Sequence, residues 1–175
     1  MSSIVKRVLK EESPEVYLEA LNLLKFVVGA LAPYLSILDL NLMMGSFVSI
    51  IVGNTIKGNM RTQMASDKVI LFFAKHNNIG PFLVAKDILK QIEKILKAAS
   101  VQKDQSFLQE KKPIVIRFFN ILMLLLQHFS LVLCYQPEFY DKSLDCLGDA
   151  LIFSGEDPAL KNVALQMILA LQQID

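Results

Sequence analysis

Tryptophan is absent from this 175-residue chain, and cysteine and histidine occur only twice each. So few cysteines and histidines, with no paired spacing, exclude a disulfide framework and an ordinary zinc site. Glycine (7) and proline (6) are also sparse, against a hydrophobic share of 53%. Such a composition favours packed helices over loops, and 175 residues suffice for about one domain. We therefore expect a single all-α domain over residues 1–175, with reduced thiols typical of an intracellular protein.

Net charge is small, at +1, but it is unevenly distributed. The segment Lys86–Cys134 has eight basic and four acidic residues, whereas Tyr135–Asp175 has two basic and seven acidic. There is no basic stripe with interleaved aromatic residues, so we predict no nucleic-acid partner. A modest basic patch is compatible with an acidic protein partner.

The most apolar stretch is "NILMLLLQHFSLVLCY", Asn120–Tyr135. It contains Gln127, His128 and Ser130, whereas a membrane-spanning helix needs about 18 or more nearly unbroken apolar residues. No charged region followed by a small-residue cleavage site lies after the first methionine. We therefore predict a buried helix, no signal peptide and no membrane partner.

No stretch combines the residues of a catalytic or cofactor site. "GNTIKGNM" has two glycines five residues apart but lacks the Lys and Ser or Thr that complete a phosphate-binding loop. His76 and His128 lie 52 residues apart, and Cys134 lies on a different helical face from His128. His76 is expected to end a helix, where a partly charged imidazole complements the helix dipole. The sequence predicts no enzyme activity, no bound metal and no cofactor.

A repeated helix start is the strongest pattern in the chain. "SPEVYLEALNLL" and "DPALKNVALQMI" each open with an oxygen-bearing side chain and a proline, and each has Ala-Leu at the same offset. Starts at Pro14, Asn59, Pro113 and Pro158 are spaced by 45, 54 and 45 residues. HEAT-type repeats of paired helices are about 40–47 residues long. We predict a right-handed α-solenoid of about four HEAT-like helical pairs, with the extra residues in a loop at Ala98–Lys112.

The segments between these starts fit the other helix of each pair. Helices are predicted to start at Asp39, Gly80 and Gln136, and a short helix Ile4–Lys10 would pair with Pro14–Leu31. The residues expected to form the core are Leu21, Leu24, Val28, Val48, Ile51, Val69, Phe72, Phe73, Leu89, Ile92, Ile95, Phe119, Leu122, Leu125, Leu151, Val163, Met167 and Leu171.

In a solenoid of helical pairs, the loops within pairs line one edge, here called the loop edge, which is a natural protein-binding surface. These loops are Glu11–Ser13, Asn54–Asn59, Ala99–Lys112 and Ser154–Asp157, and they hold most of the loop charge. An equally open interpretation is that their lysines are only solvated. The candidate partner-binding residues of this edge are Ile56, Lys57, Arg61, Lys103, Lys111 and Lys112.

The segment Glu11–Leu89 resembles the opening HEAT repeats of TOG domains. The shared pattern is a capped "PxVxxxAL" helix, a linker with proline, and "N/SxRxxxA" opening a later helix. The similarity is greatest to divergent TOG domains, in a ciliary-tip centrosomal protein and in a MEK kinase. It implies tubulin binding through basic and polar residues of the loop edge. The matched positions are Glu12, Ser13, Lys57, Asn59 and Arg61.

Two other functions stay open from the sequence. The chain could be a HEAT or armadillo scaffold for another protein, in a kinase or ubiquitin-ligase assembly. Neither end resembles the polar cap of a solenoid, so the domain either belongs to a longer protein or binds through its ends, including to a second copy. Tubulin binding would place the protein in the cytoplasm, at microtubules, the centrosome or the cilium.

Overall fold

The computed structural model describes residues 13–54, 59–76, 80–102, 105–155 and 157–173. Every regular element in these ranges is helical, which confirms the all-α class. The helices are α1 (Pro14–Leu31), α2 (Ile37–Asn54), α3 (Met60–Ala74), α4 (Gly80–Gln102), α5 (Gln105–Cys134), α6 (Pro137–Ser154) and α7 (Pro158–Gln172), with a 3-10 turn at Ala32–Tyr34. The predicted helix Ile4–Lys10 lies outside the described residues.

The chain divides into two compact units, Met1–Val84 and Ala85–Asp175. We call them the N-terminal unit and the C-terminal unit and describe each by itself. The N-terminal unit contains α1, α2 and α3. The C-terminal unit contains α5, α6, α7 and most of α4, which begins at Gly80.

In the N-terminal unit, α1 packs lengthwise on α3. The hydroxyl oxygens of Tyr17 and Ser66 lie 2.8 Å apart near the start of both helices. Further along, Lys25 Nζ lies 5.5 Å from the centre of the Phe72 ring. Both contacts join residues at nearly the same sequence separation, so α1 and α3 run in the same direction. The helices that follow the first two predicted starts are therefore parallel neighbours.

In the C-terminal unit, α5 packs on α7 in the same parallel manner. Lys112 Nζ lies 3.5 Å from Asp157 Oδ2 at the start of α7. At the other end, Met123 and Ser130 of α5 line a groove with Gln166 and other residues of α7. Lys112 and Asp157 are 45 residues apart along the chain, the same separation as Pro113 and Pro158.

The helices α4 and α6 form a second parallel pair in this unit. Lys86 Nζ lies 2.8 Å from Glu138 Oε1, and the Cys146 thiol faces the Leu89 carbonyl oxygen at 3.7 Å. The connection between α6 and α7 spans only residues 155–157, and so short a connection makes them antiparallel neighbours. In the C-terminal unit, each of these helices therefore packs in parallel on the helix that comes two positions later in the chain: α4 on α6, and α5 on α7.

The prediction that Pro113 begins a helix is wrong. Pro113 lies inside α5, which begins at Gln105. The predicted loop Ala98–Lys112 is also wrong, because α4 extends to Gln102. "QSFLQEKK" is rich in good helix formers, which lets the helix start upstream of the proline despite the lost backbone hydrogen bond. The irregular backbone within α5 lies at Phe129, with φ −138° and ψ 30°.

Side-chain caps explain three of the other helix starts. Asp157 accepts backbone N–H bonds at 2.9 and 3.2 Å, as the sequence predicts. Asn59 likewise accepts one at 3.0 Å. Ser13 does not cap α1, since its hydroxyl instead donates to a nearby glutamate at 3.2 Å. The cap of α2 is Ser36, which accepts the Asp39 N–H at 3.1 Å, so the prediction that Asp39 is the cap is wrong.

Glycine is required at two of the helix boundaries. At Gly80 a Cβ atom would lie 2.7 Å from the Ala74 carbonyl oxygen, so the predicted start of α4 tolerates no side chain. Gly155 has φ 55° and ends α6 where the sequence predicts it. The predicted core is confirmed, except that Phe72, Ile95, Leu151 and Val163 are only half-buried.

Two segments of the described chain, Pro14–Tyr34 and Gln109–Cys134, are long and apolar enough to cross a membrane. Core helices of soluble proteins meet the same criteria, so this is a weak indication. Within the apolar stretch that begins at Asn120, Ile121, Leu122 and Leu125 are fully buried. That stretch therefore contributes to the protein core, and the absence of a membrane partner stays a prediction.

Replacing Pro113 by alanine tests the continuity of α5. Within a helix, alanine restores a backbone hydrogen bond, so we expect P113A to raise the free energy of unfolding by about 2 kcal/mol. Pro158 occupies the first turn of α7, where proline is tolerated, and P158A is the matched control, expected to change stability by less than about 1 kcal/mol. Urea unfolding measures both, and equal effects would contradict a helix that passes through Pro113.

Candidate protein-interaction surfaces

The structure places three of the predicted binding residues together in the N-terminal unit. Ser13 precedes α1, Asn59 caps α3, and Arg61 lies in the first turn of α3. Because α1 and α3 are parallel neighbours, all three lie at the same end of the helix pair, and all are exposed. We call these residues the helix-start patch. Four other predicted binding residues lie outside the described residues: Glu12, Ile56, Lys57 and Lys103.

The two remaining candidates, Lys111 and Lys112, lie within α5 and not in a loop. Lys111 pairs with Glu110 at 2.5 Å. The Lys112 side chain is only 15% exposed, and its Nζ lies 3.5 Å from a carboxylate oxygen of Asp157. Both lysines therefore have anionic partners inside the C-terminal unit, and the interaction of Lys112 supports the start of α7.

Asp157 combines two stabilising roles at that start. The N–H of Leu160 first, then the N–H of Ala159 and the Lys112 cation, lower the pKa of its carboxyl group below the ordinary value, against the opposing effect of burial. The ionised form is therefore favoured in the folded state. Its contribution to stability is present above the ordinary pKa and is lost as the pH falls through the lowered value.

In the C-terminal unit, an ion pair joins a helix of the basic segment to a helix of the acidic segment. Glu138 of α6 accepts from Lys86 of α4 and from Lys142 of its own helix at 3.1 and 2.9 Å. The hydrogen bond from Lys86, then that from Lys142, lower the pKa of Glu138 to about 2. Part of the basic segment therefore meets an acidic helix of the same chain. The basic and acidic blocks of the sequence were the available signal for this pairing.

A groove of about 530 Å³ between α4 and α6, here called the charged groove, has lysines from α4 and aspartates from α6 along its walls. Asp145 and Asp149 are exposed on its α6 wall. At its floor the Cys146 thiol is buried, and desolvation, followed by nearby carboxylates, raises its pKa to about 12. This thiol stays protonated at neutral pH and is inert as a nucleophile. Cys134, in contrast, is half-buried.

A second groove, here called the basic groove, runs between α1 and α3 and has a volume of about 640 Å³. Its α3 wall presents Met60 and Met64, which are 78% and 55% exposed. Three cations line it, Lys25, Arg61 and Lys68, against one anion, Glu19. Of these residues, only Arg61 is among the binding residues predicted from the sequence. The helical spacing of Arg61 and Lys68 beside exposed methionines could have indicated the rest.

A small aromatic cluster lies where α1 and α3 are in contact. The His76 ring meets the Phe72 ring edge-on at 4.4 Å, and Lys25 lies over the same phenyl ring. Burial lowers the pKa of His76, and its Nε2 has no hydrogen-bond partner among the described residues. This effect opposes the predicted partial charge of the imidazole, because desolvation favours the neutral form.

Among the described residues no three His, Cys, Asp or Glu side chains converge to hold a metal ion. The chain matches no known family model, no curated protein and no solved structure. The resemblance to TOG domains therefore stays a prediction.

Titration of Glu138 tests the ion pair between α4 and α6. We expect its carboxyl signal in an NMR titration to report a pKa of about 2, and K86M to raise that pKa because the largest stabilising hydrogen bond is lost. The ionised Glu138 carboxylate makes its full contribution to the stability of the folded state above the ordinary pKa of 4.5. This contribution is lost as the pH falls toward about 2. K90M is the control, and an equal response to both variants would rule out a specific Lys86 contact.

The cap of α7 gives a second, independent test. D157A removes the acceptor of two N–H groups and should lower the free energy of unfolding by about 1 kcal/mol. D157N keeps the acceptor but removes the charge, so we expect a smaller loss. In both variants stability should depend less on pH below about 4 than in the parent protein. Urea unfolding at several pH values provides the measurement, and an unchanged acid response would contradict the role of this carboxylate.

Proposed function

We propose that this protein is a non-enzymatic interaction module of the HEAT-repeat type, which binds tubulin through the helix-start patch and the adjoining loop edge. The observation that carries the proposal is the parallel packing of α1 on α3. It brings Ser13, Asn59 and Arg61, three positions matched in the resemblance to TOG domains, to one end of the N-terminal unit.

The repeat architecture draws support from both units. In each unit, helices separated by one predicted repeat pack side by side and in parallel, as stacked helical pairs do. The proposed right-handed solenoid extends this local pattern to about four pairs in one domain of 175 residues. The exact helix starts differ from the prediction at Pro113, but the parallel packing of α5 on α7 keeps the same repeat distance.

Charge in the N-terminal unit also supports the proposal. Lys86, Lys97 and Lys112 of the C-terminal unit have carboxylate partners. Arg61 and Lys68 are exposed and form no salt bridge within the described part of the chain. Cations without an internal partner are free to attract an acidic protein surface and to speed its association. Tubulin binding would place the protein in the cytoplasm, at microtubules, the centrosome or the cilium.

A second function is a scaffold for a non-tubulin protein, within a kinase or ubiquitin-ligase assembly. The exposed methionines of the basic groove favour this alternative, since flexible apolar side chains suit interaction surfaces that accept varied partners. A third alternative is self-association through the ends of the solenoid. Exposed apolar residues of α1, Leu23 and Phe26, at 53% and 74% exposure, favour it.

Gel filtration with soluble tubulin tests the proposed function. We expect the protein to co-elute with tubulin, and R61E, alone or with K57E, to abolish the shift because charge reversal repels the acidic partner. K94E is the matched control, since Lys94 is an exposed lysine of the C-terminal unit and gives the same change in net charge as R61E. Co-elution that survives R61E would contradict the proposed site.

No co-elution with tubulin would favour one of the other two functions. A pull-down from cell extract on the purified protein then identifies a scaffold partner, which R61E should release if the helix-start patch is used. Light scattering over a range of concentrations tests self-association. A concentration-independent monomer would remove that alternative.

A further inference from the structure

We propose that the basic groove between α1 and α3 binds an acidic amphipathic helix of a partner protein. This inference rests on the proposed interaction function and specifies the chemistry of one partner segment. It uses the side walls of the helix pair, whereas the proposed tubulin site uses the ends of the same helices.

The shape of the basic groove suits a helix. Its two walls are the parallel helices α1 and α3, and its floor contains the buried side chains of Leu21 and Val69. An amphipathic helix placed in such a groove buries its apolar stripe between the two walls. The volume of about 640 Å³ lies within the usual range of binding pockets, about 300–1,000 Å³.

The apolar part of the basic groove lies open in the unbound protein. Met60 and Met64 occupy one face of α3 and are 78% and 55% exposed. Leu18 of α1 is half-buried on the opposite wall. Unbranched methionine side chains adapt to apolar partners of differing shape. An exposed apolar strip with charged side chains around it suits the apolar face of a partner helix.

Charge complementarity decides the class of partner. Lys25, Arg61 and Lys68 contribute three positive charges, and Glu19 contributes the one negative charge on the walls. Arg61 and Lys68 lie seven residues apart on α3, a distance of about 10 Å along the helix axis. Carboxylates separated by one or two turns on either side of an apolar stripe would meet these cations. The expected ligand is therefore a helix with leucines on one face and glutamates beside them.

Fluorescence anisotropy with a synthetic peptide tests this inference. The probe is a fluorescein-labelled peptide of about 16 residues with leucines at helical spacing and glutamates flanking them, prepared in several registers. We expect saturable binding that weakens as salt is raised to physiological strength. A scrambled peptide of the same composition, and the same peptide with glutamine in place of glutamate, should each bind at least tenfold more weakly.

Variants of the groove then locate the site. We expect M64Q and K68E each to raise the dissociation constant of the peptide about tenfold, through the loss of one apolar and one electrostatic contact. Both positions are exposed, so circular dichroism and the thermal midpoint should match the parent protein. The matched controls are I152Q, at an apolar residue of α6 that is 83% exposed, and K94E on α4, which should leave peptide affinity unchanged.

Several results would overturn the inference. They are failure of every register to bind, equal binding of the scrambled peptide, and loss of affinity in I152Q or K94E as large as in M64Q and K68E. Binding to vesicles with anionic lipid headgroups, lost in K68E and without peptide binding, would assign the basic groove to a membrane surface. A dimer that M64Q and K68E dissociate, again without peptide binding, would assign it to a second copy of the chain.

The two proposals fail separately. Peptide binding without co-elution of tubulin would remove the tubulin proposal and leave the acidic helix in place. Co-elution of tubulin that is lost in R61E but kept in M64Q and K68E, with no peptide bound, would do the reverse. R61E is therefore used for tubulin only, and M64Q with K68E for the peptide.

Discussion

The burial of apolar stripes between parallel helices one repeat apart is the constraint on which this structure depends. Leu21 and Leu24 of α1 and Val69 and Phe73 of α3 are almost fully buried in the N-terminal unit. Net hydrophobic stabilisation grows with the apolar area removed from water, and these side chains are close to the limit of burial. This packing sets the relative direction of α1 and α3. It therefore determines which side chains lie at the same end of the helix pair and which line the same groove.

Charged side chains have two roles in this structure. In the C-terminal unit, cations of α4 and carboxylates of α6 interact with one another across the charged groove, as the contact between Lys86 and Glu138 illustrates. Exposed ion pairs of this kind contribute little to stability, but they consume charge that would otherwise attract a partner. In the N-terminal unit, Arg61 and Lys68 keep their charge available at the surface. The interaction proposals follow from these exposed cations and not from net charge, which is close to zero.

Much of the fold could be predicted from the sequence, because helix starts and apolar periodicity are local signals. The starts of α1, α4, α6 and α7 follow from proline and glycine. The start of α5 could not be predicted in this way, because the helix propensity of eight residues outweighs the cost of Pro113. The cap of α2 was assigned to Asp39, since serine and aspartate are both good caps and only the backbone decides between them.

The candidate sites were less predictable than the fold. Arg61 could be predicted as a binding residue because it follows a recognisable helix start. Met60, Met64 and Lys68 could not be predicted as binding residues. Their role depends on the groove that α3 forms with α1, and the sequence of α3 alone does not show which helix packs beside it. The sequence predicts that Lys112 lies in a loop. Its partner Asp157 comes from a distant part of the chain, and a sequence pattern alone does not reveal such a contact.

The close approach at Gly80 limits how this chain can diverge over evolutionary time. Any side chain there would meet the Ala74 carbonyl oxygen at the end of α3, and backbone atoms at that position cannot rotate away as a flexible side chain could. A descendant that loses this glycine must lengthen the connection or shift a helix by a fraction of a turn. Insertions and substitutions should therefore accumulate at other junctions first, and Gly80 should be among the slowest positions of the molecule to change.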